Sequence, residues 1–161
     1  MLRSLLPLFG LLPMAIAAGA APDLQPVTAH APPAHAPIPL VENGAPRATI
    51  CVMGVPAIRE IDVAVREIQA CIEAATGTKL PESRGKLVDG PAIVIGACPE
   101  SAAAGLDGKA MPVEGFAIKT APNRVFIVGH DDERLNSPGT AWGIAEFLER
   151  FIDARYYWPP Q

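Results

Sequence analysis

Isoleucine and valine recur at positions 58, 61, 65, 68 and 72, at spacings of 3, 4, 3 and 4. That period predicts an α-helix over residues 58–76 with five β-branched side chains on one face. Arg59, Glu60, Asp62, Arg66, Glu67 and Glu73 fall largely elsewhere on it, and Gly77, followed by Pro81, is placed to end it. Burying five such side chains contributes on the order of 10 kcal/mol before the entropy of ordering is subtracted. The helix therefore needs a hydrophobic layer to lie on, and its charges read as a solvated face rather than as catalytic groups.

The rest of the chain supplies that layer. Residues 38–42 and 48–53 are apolar and β-branched, with Asn43-Gly44-Ala45-Pro46 as a turn signal between them, which reads as a β-hairpin. Residues 92–96 (AIVIG) form a short continuous apolar run expected of a central strand. A loop with Pro99, Gly105, Gly108 and Pro112 follows. Residues 115–120 and 124–129 read as a second hairpin around Ala121-Pro122-Asn123, with Phe116 and Ile118 on a covered face and Ala117 and Lys119 on a wetter one. A second helix is expected over residues 137–152. Ser137 would cap it and Pro138 would open it, and Ala141, Ile144, Ala145, Leu148, Phe151 and Ile152 would form its buried face. Glu146 and Arg150 make an i, i+4 pair on the outside. A last strand is expected over residues 154–158. The fold class is thus α+β: a two-layer sandwich with a mixed, mostly antiparallel sheet of about six strands and two helices on one face. The other face would be partly open or covered by a partner.

The amino terminus carries an export signal. Arg3 is followed by an apolar run over residues 5–17 and then by Ala18-Gly19-Ala20, the small residues a signal peptidase reads. The run is shorter than the roughly 18 residues a membrane span needs, and Pro7, Gly10 and Pro13 interrupt it. Residues 1–20 are expected to be removed, leaving a secreted or periplasmic chain with no membrane segment. Residues 21–37 include five prolines and few large apolar groups, which predicts an extended Pro/Ala-rich disordered linker before a domain over residues 38–161. His30 and His35 lie in that linker and read as solvated. The net charge of −4 comes without a basic stripe, so nucleic acid is not an expected partner. Cys51, Cys71 and Cys98 sit among apolar neighbours and read as buried thiols; no CxxC spacing suggests zinc, and no metal or cofactor is expected.

Five segments taken in order carry a resemblance. They are IREIDVAVREIQACIEAATGTKLP (58–81), AIVIG (92–96), EGFAIKT (114–120), RVFIVG (124–129) and GTAWGIAEFLERFIDARYYWP (139–159). Together they resemble the N-terminal, non-catalytic domain of family 67 alpha-glucuronidases and of related bacterial secreted glycoside hydrolase-like proteins. More distantly, they are similar to the domain preceding the barrel in beta-N-acetylhexosaminidases. The resemblance implies an accessory domain of a secreted carbohydrate-active enzyme involved in polysaccharide degradation, with a C-terminal catalytic barrel as its partner. No catalytic position of those enzymes falls within these residues, so none is expected here. The sequence stops at Gln161, where the barrel linker would begin, so a fragment of a longer glycoside hydrolase is expected. The alternative is a free-standing exported module that binds carbohydrate or protein.

Four features compete as sites. His130-Asp131-Asp132-Glu133-Arg134 is a dense polar run that reads first as a solvated loop, although such a loop could contact a ligand. Gly139-Thr140 could offer backbone N–H groups to an anion, or could simply allow close helix–sheet packing. Tyr156, Tyr157 and Trp158 are the possible domain-interface or ligand contacts, with domain packing preferred because large exposed aromatics call for a partner. Sixteen of the 17 Asp and Glu lie between positions 42 and 153, yet no pattern marks an opposed acid–base pair, and no Ser-His-Asp order or G-x-S-x-G occurs.

Overall fold

The computed structural model describes residues 33–154. The first helix, α1 (Arg59–Thr76), follows its period: Ile58, Ile61, Val65, Ile68 and Ile72 are all buried. Gly77 adopts φ 71°, a left-handed conformation, and returns its N–H to the Glu73 carbonyl at 2.8 Å to close the helix.

Two small pairings and one main sheet account for the strands. β1 (Val41–Glu42) and β2 (Ala45–Pro46) close a tight antiparallel turn over Asn43-Gly44. The main sheet holds β3 (Thr49–Val52), β4 (Glu82–Arg84), β5 (Ala92–Ile95), β6 (Phe116–Ala121) and β7 (Arg124–Gly129) in the order β4-β3-β5-β7-β6. β8 (Asp131–Asp132) pairs with β9 (Ser137–Pro138) outside it. The expected hairpin of residues 38–42 with 48–53 does not form. The turn signal folds on itself as β1–β2, and β3 goes instead to β4 and β5.

The fold is α+β with a mixed sheet, as the pattern predicts, but its pairing sense differs. β4, β3, β5 and β7 run parallel, and only β6 against β7 is antiparallel. The reason lies in the strands themselves. β5 is buried along its whole length, and β3 and β7 nearly so, and strands covered on both faces are the parallel kind. Each is also followed by enough chain to cross back over the sheet before the next parallel strand begins.

α1 and α3 (Gly139–Phe147, continued by a π-helical turn, Leu148–Ile152) share one face. Their apolar sides meet Ile50, Val52, Ile93, Ile95, Val125 and Ile127. The opposite face is neither open nor left for a partner. Cys51, Val94, Phe126 and Val128 are covered by the chain itself, through Cys98, Leu106 and Met111 around a short helix, α2 (Pro99–Ala103). The expected loop thus contains a helix, capped by the Cys98 side chain, whose Sγ accepts the Ser101 N–H at 3.4 Å. All three cysteines are free, with Cys51 and Cys98 buried.

α3 begins later than expected. Ser137 and Pro138 are taken into β9, where the Ser137 hydroxyl donates to the His130 carbonyl at 2.7 Å and accepts the Glu114 N–H at 2.9 Å. The expected last strand, past Ala154, lies outside the described residues. No helix among the described residues is long and apolar enough to cross a membrane.

Candidate functional site

The parallel strands set up a cleft. After β3 the chain turns into α1 on one face, and after β5 it turns into α2 on the other. Loops that leave adjacent parallel strands in opposite directions open a crevice at the strands' carboxyl ends. A cleft of about 820 Å³ lies there, floored by Gly54, Val55, Pro56 and Ala97 and walled by the 107–109 and 129–134 segments.

The polar run after β7 lines this cleft, and most of its members are held by the protein. His130 Nδ1 lies 2.8 Å from the Met111 carbonyl, which can only accept, so the proton sits on Nδ1. Asp131 turns inward: its carboxylate accepts the Thr140 N–H at 2.8 Å and the Thr140 hydroxyl at 2.5 Å. Asp132 accepts the Arg134 and Leu135 N–H groups at 2.8 and 3.3 Å. Glu133 accepts the Ala57 N–H at 3.0 Å, tying this loop to the one after β3. The Arg134 side chain lines the cleft while staying 91% exposed, its Nε 3.8 Å from the Asp132 carboxylate. Among the described residues, no group of three or more His, Cys, Asp or Glu converges as a metal site.

These contacts decide the two readings of Gly139-Thr140. The N–H of Thr140 is occupied by the protein's own Asp131 carboxylate rather than open to an external anion. Close packing accounts for Gly139, where an added Cβ would fall 2.5 Å from the Gly115 carbonyl oxygen. Its neighbour across the approach, Gly129, is equally constrained: a Cβ there would lie 2.1 Å from the Gly139 carbonyl carbon.

The two adjacent aspartates are tuned in opposite directions. Burial raises the Asp131 carboxyl above the ordinary aspartate value, against the lowering effect of the Thr140 hydroxyl and N–H and of His130. Asp132, partly buried, is lowered, first by the Arg134 N–H, against the raising effect of burial, and then by the Leu135 N–H and the nearby Arg134 and His130 charges.

Tyr156, Tyr157 and Trp158 lie outside the described residues. A different aromatic surface, missed in the sequence, is present. Phe116 on the edge strand β6 is 38% exposed and Phe151 is 62% exposed, although both were expected on buried faces. The π-helical turn explains Phe151. Widening the helix after Phe147 keeps Leu148 inward and rotates the next turn outward. Phe116, Ile118 and Phe151 line one depression. Beside it, Leu40, Ile118, Val125, Phe147, Phe151 and Ile152 line an apolar groove of about 500 Å³. The alternation of Phe116 with Ile118 was the available signal; it marked an apolar face correctly but not that the face would stay bare.

No protein-family model matches the chain, and a search of curated proteins finds no match to it.

Proposed function

We propose that this chain is a non-catalytic accessory domain of an exported carbohydrate-active enzyme, and that its Phe116–Phe151 face seats against the enzyme's catalytic barrel. The observation that carries this reading is the apolar surface at the β6 edge. Two phenylalanines, 38% and 62% exposed, stand beside an apolar groove, a combination that monomeric surfaces rarely leave uncovered. The ordered resemblance of five segments supplies the enzyme class. The cluster that could have carried chemistry is instead engaged in holding the loop after β7, which supports a scaffolding role.

A second reading, a free-standing carbohydrate-binding module, is favoured by one feature. Trp142 is 48% exposed over a groove between α1 and α3, next to Arg59 and Glu60, an arrangement suited to stacking a sugar ring. The two are separated by assays on the mature chain. The accessory-domain reading expects no hydrolysis of aryl glycosides, uronides included, and no saturable change in Trp fluorescence with xylan or glucuronate oligosaccharides. Turnover lost on mutating a single carboxylate would overturn the first reading. A saturable shift removed by Trp142→Ala in a folded protein would replace it with the second.

A further inference from the structure

The cleft at the carboxyl ends of β3, β5 and β7 has a composition that neither reading uses. Its walls carry the carboxylates of Asp107, Asp131 and Asp132 beside the cations of Lys109 and Arg134, with His130 among them, so groups of both signs face the same space. The three carboxylates are each partly spent on the protein: Asp107 on the Lys109 N–H at 3.0 Å, Asp131 on Thr140, and Asp132 on its own turn. Lys109 and Arg134 are exposed, and no fold-forming contact holds the Lys109 ammonium among the described residues. His130 is held in the wall by its Nδ1, 2.8 Å from the Met111 carbonyl. The floor is backbone and small apolar groups, since the close approach of the strand ends admits only Gly96 and Gly54. A Cβ at Gly96 would lie 2.0 Å from the Met53 carbonyl oxygen, and one at Gly54 2.3 Å from that of Ala97.

We propose that this cleft binds a neutral, polyhydroxylated small molecule of monosaccharide to disaccharide size. A hydroxyl is at once a donor and an acceptor, so a polyol is satisfied by a wall presenting both kinds of group. A simple anion would meet Asp107 and Asp132 as well as the two cations, and a cation would meet the converse. The volume falls within the range of small-molecule sites, roughly 300–1,000 Å³, and the position is the one parallel sheets use for ligands. Val55, Pro56 and Ala97 give the C–H face of a sugar ring an apolar surface.

The test is a titration of the isotope-labelled mature chain with glucose, xylose and cellobiose, with citrate and glucuronate as charged counterparts. The expected result is saturable shifts of the Gly54, Ala97 and Gly129 amide signals with at least one neutral sugar. The affinity should fall about tenfold, or 1.4 kcal/mol, in the Lys109→Ala/Arg134→Ala double variant. Both side chains lie at the surface, and an unchanged amide spectrum elsewhere reports that the variant is folded. The proposal is overturned by saturation with charged probes alone, by affinity that survives the double substitution, or by no saturation with any of the neutral sugars. Shifts confined to residues around Trp142 also overturn it, and would favour the binding-module reading of the other groove instead.

Discussion

The Asp131 carboxylate holds Thr140 twice, accepting its N–H at 2.8 Å and its hydroxyl at 2.5 Å, and so closes the start of α3 from the strand before it. The same hydroxyl oxygen accepts the Gly129 N–H at 3.0 Å, so three residues lock the end of β7 to the helix.

Asp131 and Asp132 should therefore give opposite pH signatures. A raised folded value means that Asp131 favours the fold most below the ordinary aspartate pKa, about 3.9. That contribution is lost as pH rises through the raised value. A lowered folded value means that Asp132 favours the fold above about 3.9 and loses the contribution as pH falls through the lowered value. Between about pH 3 and pH 6, the stability difference between wild type and Asp131→Asn should shift against wild type. The difference from Asp132→Asn should shift in its favour. Urea midpoints at the two ends of the range measure both, and slopes of the same sign would contradict the assignment.

Gly129→Ala should cost about 3 kcal/mol or more, because the new methyl meets the backbone of Gly139 and Thr140 at 2.1 Å and neither can step aside. Gly44→Ala is the control. It has no atom within 4 Å, and its φ of 72° makes the cost about 1 kcal/mol. Comparable losses in chemical denaturation would show that β7 and α3 are not packed this closely.

How much of this could be read from the chain depends on how local each feature is. α1 and the β6–β7 hairpin follow from neighbouring residues, through a 3.6 period and a Pro-Asn turn, and both form as expected. The parallel order does not, because β3 finds its partners some 30 to 45 residues away, at Ser83 and Val94 for Cys51. The two-sided burial of AIVI was the one sign of it. At the site, the polar run was visible in the sequence, but the inward turn of Asp131 depends on β8 tucking beside β9, which no local pattern announces. The bare face at Phe151 rests on a single π-helical turn, invisible to a period of 3.6.

Arg124 fastens the start of β7 to the second face of the sheet. Its side chain is largely buried, with Nε at 3.1 and 3.2 Å from the Glu100 carboxylate and Nη2 donating to the Val88 carbonyl at 3.0 Å. It also donates to the Gly90 carbonyl and, at 3.1 Å, to that of Asn123. Lysine keeps the charge but lacks the planar fork, so Arg124→Lys should lose about 1–2 kcal/mol, the partly solvated Glu100 limiting the loss. Thermal unfolding of the variant would detect this, and no change would mean that these bonds are replaced by water without cost.

The most direct measurement concerns the aromatic face itself. Sedimentation and hydrophobic-dye binding of residues 21–161 should be compared with those of the Phe116→Ser/Phe151→Ser double variant. Both rings are partly exposed, so the variant should keep its helical and strand signals. If the face exists to receive a second domain, the unmodified chain alone should bind dye and self-associate as its concentration rises, and the variant should do neither. An unmodified chain that stays monomeric and dye-free throughout would contradict the account.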